Sequence, residues 1–251
     1  MTLRGLIPEA PPGDQSLVLV EGDHTETTEK LLGNVFADQP VEVETTTASS
    51  FEEDTVLLVE DGAVVAQSPV TALQDAILLV NSDLFTTGTR QVEAVEVPAV
   101  LRGLEDVPFR LRGYPESNTE KLLLIVLSRY VERQALEAGK GVLRSSFQRL
   151  SRIDDEIGTR RVYERLAVTD LDVHVYGVPD WDPTTDLDVV SHGGRGPNFR
   201  RAWFVLFTPT GGAGTPHGLL AYETEPRYWH GFYTTDPARV SEIDDAVCRR
   251  L

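Results

Sequence analysis

The chain has 251 residues, and its hydrophobic content of 41% supports a globular core and excludes disorder along the whole chain. Its 40 acidic residues against 23 basic ones give a formal net charge of −17, and its one cysteine, Cys248, excludes an internal disulfide. The longest apolar run, residues 122–127, is far too short to span a bilayer, so we expect a cytoplasmic protein without a membrane partner.

Short strands and helices alternate in the first half of the sequence. Dense or alternating apolar runs predict strands, and turn residues followed by an apolar stripe predict helices. In chain order these are a strand at 17–21, a helix at 24–35, strands at 41–46, 55–59 and 64–67, and a helix from Ser68-Pro69 to about residue 80. The predicted order is β-α-β-β-α, with a hairpin turn at Asp61-Gly62.

The middle of the sequence contains the longest predicted helix. Residues 95–114 include two prolines and two Arg-Gly pairs, which indicate an irregular packed connector. Residues 117–120, Ser-Asn-Thr-Glu, then have the sequence of a capping box, whose side chains bind exposed backbone amides at a helix start. We expect this helix, 117–138, to be the spine of the domain, and the pattern predicts further helices over 145–157 and 159–167.

The last third of the sequence is rich in strand patterns. Strands are predicted at 172–178, 202–208, 218–223 and 228–234, followed by a helix that begins at Asp236-Pro237. The predicted fold class is α/β with α+β character: a mixed sheet packed with helices, a long central helix and mainly antiparallel C-terminal strands. We expect residues 1–16 to be an extension and 17–251 a single domain, with 17–115 and 116–251 as alternative halves.

Three polar residues near position 148 are the first candidates for a ligand site. Arg144, Gln148 and Arg152 recur every four residues, which places them along one stripe of the helix predicted there. Such a stripe either binds an anionic ligand or pairs with nearby acids. The neutral glutamine within it favours hydrogen-bonded recognition.

Aromatic and imidazole side chains provide a second group of candidates. His174 and Tyr176 fall on one face of a predicted strand, and His230 and Phe232 alternate in another, so the two strands are expected to face one cavity. The further candidates with flat surfaces for a planar ligand are Trp203, Trp229 and Tyr233. A filled core is the alternative interpretation of all these residues.

No motif for catalysis or metal binding is recognisable. Histidines do not cluster at zinc spacing, and the four aspartates within residues 180–188 depart from the calcium-loop pattern, so a solvated acidic loop is the main interpretation. The glycine-rich run 191–196 fits a mobile loop, with an anion-binding nest as the alternative. We therefore predict no catalytic residue and no metal site, and the cofactor stays unknown. The absence of a basic-aromatic stripe argues against nucleic acid.

Six short segments occur in an order that resembles a known family. They are Ser-Arg-Tyr-Val-Glu at 128–132, Ser-Ser-Phe-Gln-Arg-Leu at 145–150, Val-Tyr-Glu-Arg-Leu at 162–166, Leu-Asp-Val-His-Val-Tyr-Gly at 171–177, Arg-Ala-Trp-Phe-Val-Leu-Phe at 201–207 and Trp-His-Gly-Phe-Tyr-Thr at 229–234. Together they resemble haloarchaeal DICT sensory domain proteins, a family that occurs with diguanylate cyclases and two-component systems. The resemblance runs from Leu17 onward and implies an α/β signal-input module without catalytic residues.

The composition agrees with a high-salt origin. Basic residues comprise 20 arginines and three lysines, and acids occur along nearly the whole chain. In molar salt an acidic surface no longer repels itself, because the Debye length falls to about 3 Å. The charge then reflects the solvent and says little about a partner.

These observations favour a non-catalytic cytoplasmic sensory module that binds a small ligand or a signalling protein, in a light or environmental response. The alternative is an interaction scaffold or homodimer that pairs through the helix over 117–138. An orphan enzyme is the third hypothesis. It ranks last because no nucleophile, base or acid-base pair can be assembled from the sequence.

Overall fold

The computed structural model describes residues 2–23, 25–36, 39–47, 50–81, 97–112, 121–212 and 214–251. Within these residues the chain forms two mixed β-sheets packed with helices, which confirms the predicted α/β class. The capping box predicted at 117–120 lies outside the described residues.

The smaller sheet is built from the first part of the chain. Its strands are β1 (Gln15–Val20), β2 (Glu42–Thr46), β3 (Thr55–Glu60) and β4 (Ala63–Pro69), in the order β2-β1-β3-β4. β1 pairs parallel with β2, and helix α1 (Thr25–Phe36) connects them. Helix α2 (Val70–Asn81) follows β4. Asp61 and Gly62 both have positive φ, as the predicted hairpin turn between β3 and β4 requires.

The larger sheet contains the remaining strands. They are β5 (Phe109–Arg112), β6 (Lys140–Arg149), β7 (Asp170–Val178), β8 (Val190–Gly193), β9 (Ala202–Pro209), β10 (His217–Glu225) and β11 (Tyr228–Thr234). Their order is β5-β11-β10-β9-β6-β7-β8. The helices of this part are α3 (Ala99–Arg102), α4 (Lys121–Ala138), α5 (Arg152–Asp155), α6 (Ile157–Leu166), α7 (Pro197–Arg201) and α8 (Pro237–Arg250), with 3-10 turns at Leu3–Leu6 and Pro183–Thr185.

Helix α4 lies in the main core, against the larger sheet and α2, as the predicted spine. Leu124, Val131 and Ala135 have no exposed surface, and among its described side chains only Glu137 is exposed. The apolar side chains that the structure describes in α4 are therefore packed within the same chain. Pairing of two copies through this helix stays a prediction.

Helix α8 covers the opposite face of the larger sheet. The Asp236 carboxylate accepts from the backbone amides of Ala238 and Arg239, which confirms the predicted helix start. Ile243 and Val247 are buried in a second core cluster that also contains Leu3 from the N-terminal 3-10 turn. The 3-10 turn Leu3–Leu6 thus packs onto α8 and β10.

The prediction of a helix over residues 145–157 is wrong. Residues 140–149 form strand β6, which pairs parallel with β7 and antiparallel with β9. Small serines occupy its buried positions, so the sequence lacks the apolar alternation of a strand. Pairing on both sides fixes the strand conformation.

Three smaller predictions also need correction. The supposed connector contains α3 and β5, whose residues 109–112 pair with β11. The strands β5, β11, β10, β9 and β6 pair antiparallel in succession, as the mainly antiparallel prediction requires. The exception is the strand predicted at 172–178, because β7 pairs parallel with both β6 and β8. The glycine-rich run begins within strand β8.

Candidate functional site

A cavity of about 160 Å³ lies between α4, α6 and the strands β6 and β9. Cavities of roughly this volume hold a benzene-sized ring. The residues that line it are Ile125, Ser128, Arg129, Glu132, Ser145, Ser146, Phe147, Gln148, Arg152, Glu156, Thr159, Tyr163, Trp203 and Val205. It combines aromatic walls with a polar base and an open rim.

A buried ion pair forms the base of the cavity. Arg129 Nη1 donates to Glu132 Oε2 at 2.6 Å, and Nη2 donates to Thr159 Oγ1 at 2.6 Å. Thr159 in turn donates to the Glu156 carboxylate at 2.9 Å. Burial opposes the charge of Arg129, yet Glu132 keeps the pKa of Arg129 above its ordinary value. The charges at the base are therefore balanced by groups of the protein itself.

Two hydroxyl groups lie beside this pair. The Tyr163 hydroxyl donates to Glu132 Oε1 at 3.0 Å, and burial followed by the Glu132 charge raises the pKa of Tyr163 well above its ordinary value. Ser145 Oγ lies near enough to Tyr163 to oppose that rise, but it has no hydrogen bond of normal geometry. Ser145 is 1% exposed, so its hydroxyl is a buried polar group available to a ligand.

The walls of the cavity are aromatic. The Trp203 indole donates to Ser128 Oγ at 2.9 Å, which fixes the orientation of its ring. Phe147 contacts Tyr163 edge to face, with the ring centres 5.1 Å apart. These rings provide flat surfaces for a planar molecule.

Gln148 and Arg152 form the rim. Gln148 lies at a β-bulge of β6 with φ +56°, a left-handed conformation that turns the chain towards α5. Its Nε2 donates to the Ala202 carbonyl at 3.0 Å, and its Oε1 accepts from Arg152. The bulge therefore places an amide and a guanidinium group at the mouth of the cavity.

The helices at the rim are connected to a distant loop by one arginine. Arg160 on α6 forms ion pairs with Asp154, Glu164 and Asp186. The hydrogen bonds that Arg160 donates to these carboxylates, first to Glu164, raise the pKa of Arg160. A displacement of α5 or α6 would thus reach the loop that contains Asp186.

The structure brings only some of the predicted site residues together. Gln148, Arg152 and Trp203 line the cavity, although not on one helix stripe. Trp229 lies behind Trp203, with the ring centres 6.0 Å apart. Tyr233 is buried elsewhere, and its hydroxyl lies 2.7 Å from Nδ1 of His217.

The other predicted residues lie on the α8 face of the sheet. Arg144 pairs with Asp244 at 2.6 Å and donates to the Tyr176 hydroxyl at 3.1 Å. His174 Nδ1 is 2.9 Å from His192 Nε2, and burial, then the Arg144 charge, lowers the pKa of both imidazoles. These residues form a separate polar cluster.

The expectation that two strands share one cavity is wrong. His174 and Tyr176 do lie on one face of β7, but β6, β9 and β10 separate β7 from β11, which holds His230 and Phe232. Sheet order cannot be read from alternation within single strands.

Sequence reasoning missed Arg129, Glu132, Ser145, Thr159 and Tyr163 as site residues. A signal existed, because Arg129 and Glu132 interrupt an otherwise apolar helix face at i and i+3. The segments 128–132, 145–150 and 162–166, on which the family resemblance rests, all contribute to the cavity.

The described residues show two further properties. They contain no group of three or more His, Cys, Asp or Glu side chains arranged to hold a metal ion. None of the helices among them has the length and apolar character needed to cross a membrane.

Comparison with protein families gives one match. Residues 100–216 match the DICT family, described as the sensory domain in diguanylate cyclases and two-component systems. Every lining residue of the cavity falls within this range. The search of curated proteins finds no match.

Among solved structures, part of polyphosphate kinase from Porphyromonas gingivalis matches with a TM-score of 0.35 and 13% identity. That match covers 61% of this chain and 24% of the kinase chain, so the aligned part is a minor share of that enzyme.

Proposed function

We propose that the protein is a non-catalytic signal-input module that binds a small planar molecule in the cavity between α4, α6, β6 and β9. The observation that carries this proposal is the Ser145 hydroxyl, which is buried at the cavity and has no hydrogen bond of normal geometry to any described residue. A buried polar group without a partner is costly, and a ligand that supplies the partner recovers that cost. The match of residues 100–216 to a sensory family supports the proposal.

The chemistry of the lining favours a neutral ligand with a ring. Arg129 is already paired with Glu132, so a charged ligand would have to compete with a contact of 2.6 Å. Trp203 and Phe147 offer ring surfaces, and Ser145 offers one hydrogen bond. A planar ring with a polar edge fits both features.

Binding would be converted into a signal through the rim. A ligand in the mouth contacts Gln148 and Arg152, and the adjacent helices are joined to Asp186 through Arg160. A ligand shifts a conformational equilibrium only by its different affinity for the two states. We propose that ligand binding favours one position of α5 and α6, which a partner protein then recognises.

The cellular setting is part of the proposal. The acidic composition supports a protein of a haloarchaeal cytoplasm, where molar salt screens the charge of −17. The module would serve a light or environmental response, and a planar chromophore held without a covalent bond is one ligand of the required shape.

A ligand screen with two neighbouring serine variants tests the proposal. Native mass spectrometry and an absorbance spectrum of the full chain, purified in high salt, first identify any bound molecule. Planar compounds are then titrated into wild type, Ser145→Ala and Ser146→Ala. Ser146 is the matched control, because its hydroxyl already donates to the Ala202 carbonyl at 2.8 Å.

We expect a compound whose binding raises Tm in wild type and in Ser146→Ala but is at least about fivefold weaker in Ser145→Ala. An affinity in Ser145→Ala equal to that of wild type would refute the assignment of the site. A screen in which no planar compound raises Tm would count against a ligand-binding function.

A further inference from the structure

A second groove, of about 810 Å³, lies on the α8 face of the larger sheet at the edge formed by β5 and β11. The N-terminal residues 2–9 form one wall, and β5 and β11 form the other. Its basic residues are Arg4, Arg110 and His230. In a chain with a net charge of −17, a groove with two arginines and a histidine is an unusual concentration of basic side chains.

Strand pairing brings two of these groups together. Arg110 of β5 is directly opposite His230 of β11, so both side chains project from the same face of the sheet. The Gln39 amide accepts from the Arg110 backbone amide at 2.8 Å and also donates to the Arg110 carbonyl. This pair of bonds holds the edge strand in place beside His230.

The N-terminal segment adds the third basic group. Arg4 lies in the 3-10 turn Leu3–Leu6, which the fully buried Leu3 anchors in the core beneath α8. Burial, followed by the charges of Arg110 and Arg4, lowers the pKa of His230. An anion bound beside the two guanidinium groups would offset this unfavourable effect on the imidazolium form.

Neither arginine forms an ion pair with an acid in the part of the chain that the structure describes. Glu9 is the acid on the groove wall, and it is exposed. The apolar part of the wall contains Ile7, Pro8, Pro40 and Pro108. The groove thus has basic side chains on both walls and room for more than an inorganic ion.

We propose that this groove is a binding site for a multivalent anion, of the class of small organic phosphates, held by Arg4, Arg110 and His230. Guanidinium groups bind phosphate oxygens through paired charge-assisted hydrogen bonds. Salt screens single exposed contacts, so an anion that bridges both arginines is favoured over a monovalent one. This site does not depend on the cavity ligand, and either proposal can fail without the other.

Titration of the full chain with inorganic pyrophosphate tests the site, with citrate as a multivalent anion that lacks phosphorus. Calorimetry measures affinity, and proton NMR of the histidine ring protons measures the pKa of His230. The test variant is Arg4→Gln/Arg110→Gln. The control, Arg195→Gln/Arg200→Gln, changes net charge equally by replacing two exposed arginines elsewhere.

We expect pyrophosphate to bind with one-to-one stoichiometry and to raise the pKa of His230. Affinity should fall at least about tenfold in Arg4→Gln/Arg110→Gln and change less than about twofold in the control. Binding of pyrophosphate without binding of citrate supports a phosphate site. Equal binding of the two anions would overturn the preference for phosphate. No binding at about 10 mM pyrophosphate, or equal losses in both double variants, would overturn the site.

Discussion

Replacement of Glu132 by alanine tests the buried network at the base of the cavity. Glu132 is 3% exposed, and its carboxylate accepts from Arg129 at 2.6 Å and from the Tyr163 hydroxyl at 3.0 Å. In Glu132→Ala both donors lose this acceptor, and the guanidinium charge stays buried. Because a buried charge without its counter-ion costs about 3–5 kcal/mol, we expect the free energy of unfolding to fall by that amount.

The size of the effect can be compared with an exposed pair on the same helix. For a chain of this length, about 1 kcal/mol corresponds to about 2–4 °C in Tm, so a loss of about 3 kcal/mol lowers Tm by about 6–12 °C. Glu137, which is 48% exposed, pairs with Arg133 at 2.7 Å. Glu137→Ala removes the same side chain from the same helix, and we expect a loss of about 0.5 kcal/mol or less.

Urea unfolding followed by circular dichroism measures both variants under the same conditions. We expect the free energies of unfolding of the two variants to differ clearly, and both variants to have a near-native spectrum before unfolding. A loss below about 1 kcal/mol in Glu132→Ala, or a loss equal to that of Glu137→Ala, would refute the claim that this ion pair is a buried structural element.

Three further predictions follow from burial and charge. Burial lowers the pKa of His217 to about 4 from 6.5. Between these two pH values the unfolded chain carries a proton on His217 that the folded chain lacks, so a falling pH favours the unfolded chain. The free energy of unfolding should therefore fall by about 3 kcal/mol more in wild type than in His217→Gln between about pH 7.5 and about pH 4, and parallel pH profiles would contradict this. Without ligand, Ser145→Ala should change the free energy of unfolding by less than about 0.5 kcal/mol, while Ser146→Ala should lower it by about 1 kcal/mol. A larger loss in Ser145→Ala than in Ser146→Ala, measured by urea unfolding, would show that Ser145 is hydrogen-bonded in the protein. Raising KCl from about 0.1 M to about 2 M should raise Tm, and a constant or falling Tm would contradict adaptation to high salt.

Most of the fold could be predicted from local patterns. The strands of the smaller sheet, the hairpin turn at Asp61-Gly62 and the capped helix α8 each have turn or capping residues at their boundaries. β6 could not be predicted in this way, because Ser145 and Ser146 occupy buried positions where a strand usually has apolar residues. Only pairing with β7 and β9 makes that segment a strand.

The candidate site could be predicted only in part. Trp203 was found by residue type and Gln148 through a helical spacing in a segment that is a strand, and the structure places both at the cavity. Arg144 was grouped with them because of helical spacing, but the strand places it on the other face of the sheet, beside Asp244. Glu132 and Tyr163 were missed because their contact joins α4 and α6, and sequence spacing does not predict which helices meet.

The location of a bound ligand is the most direct test of the central claim. We would determine a crystal structure of the full chain with the compound that stabilises it most. The account predicts density for one molecule between Trp203 and Phe147, with a polar atom within hydrogen-bond distance of Ser145 Oγ. Density for the compound at another surface, with the cavity unchanged, would contradict it.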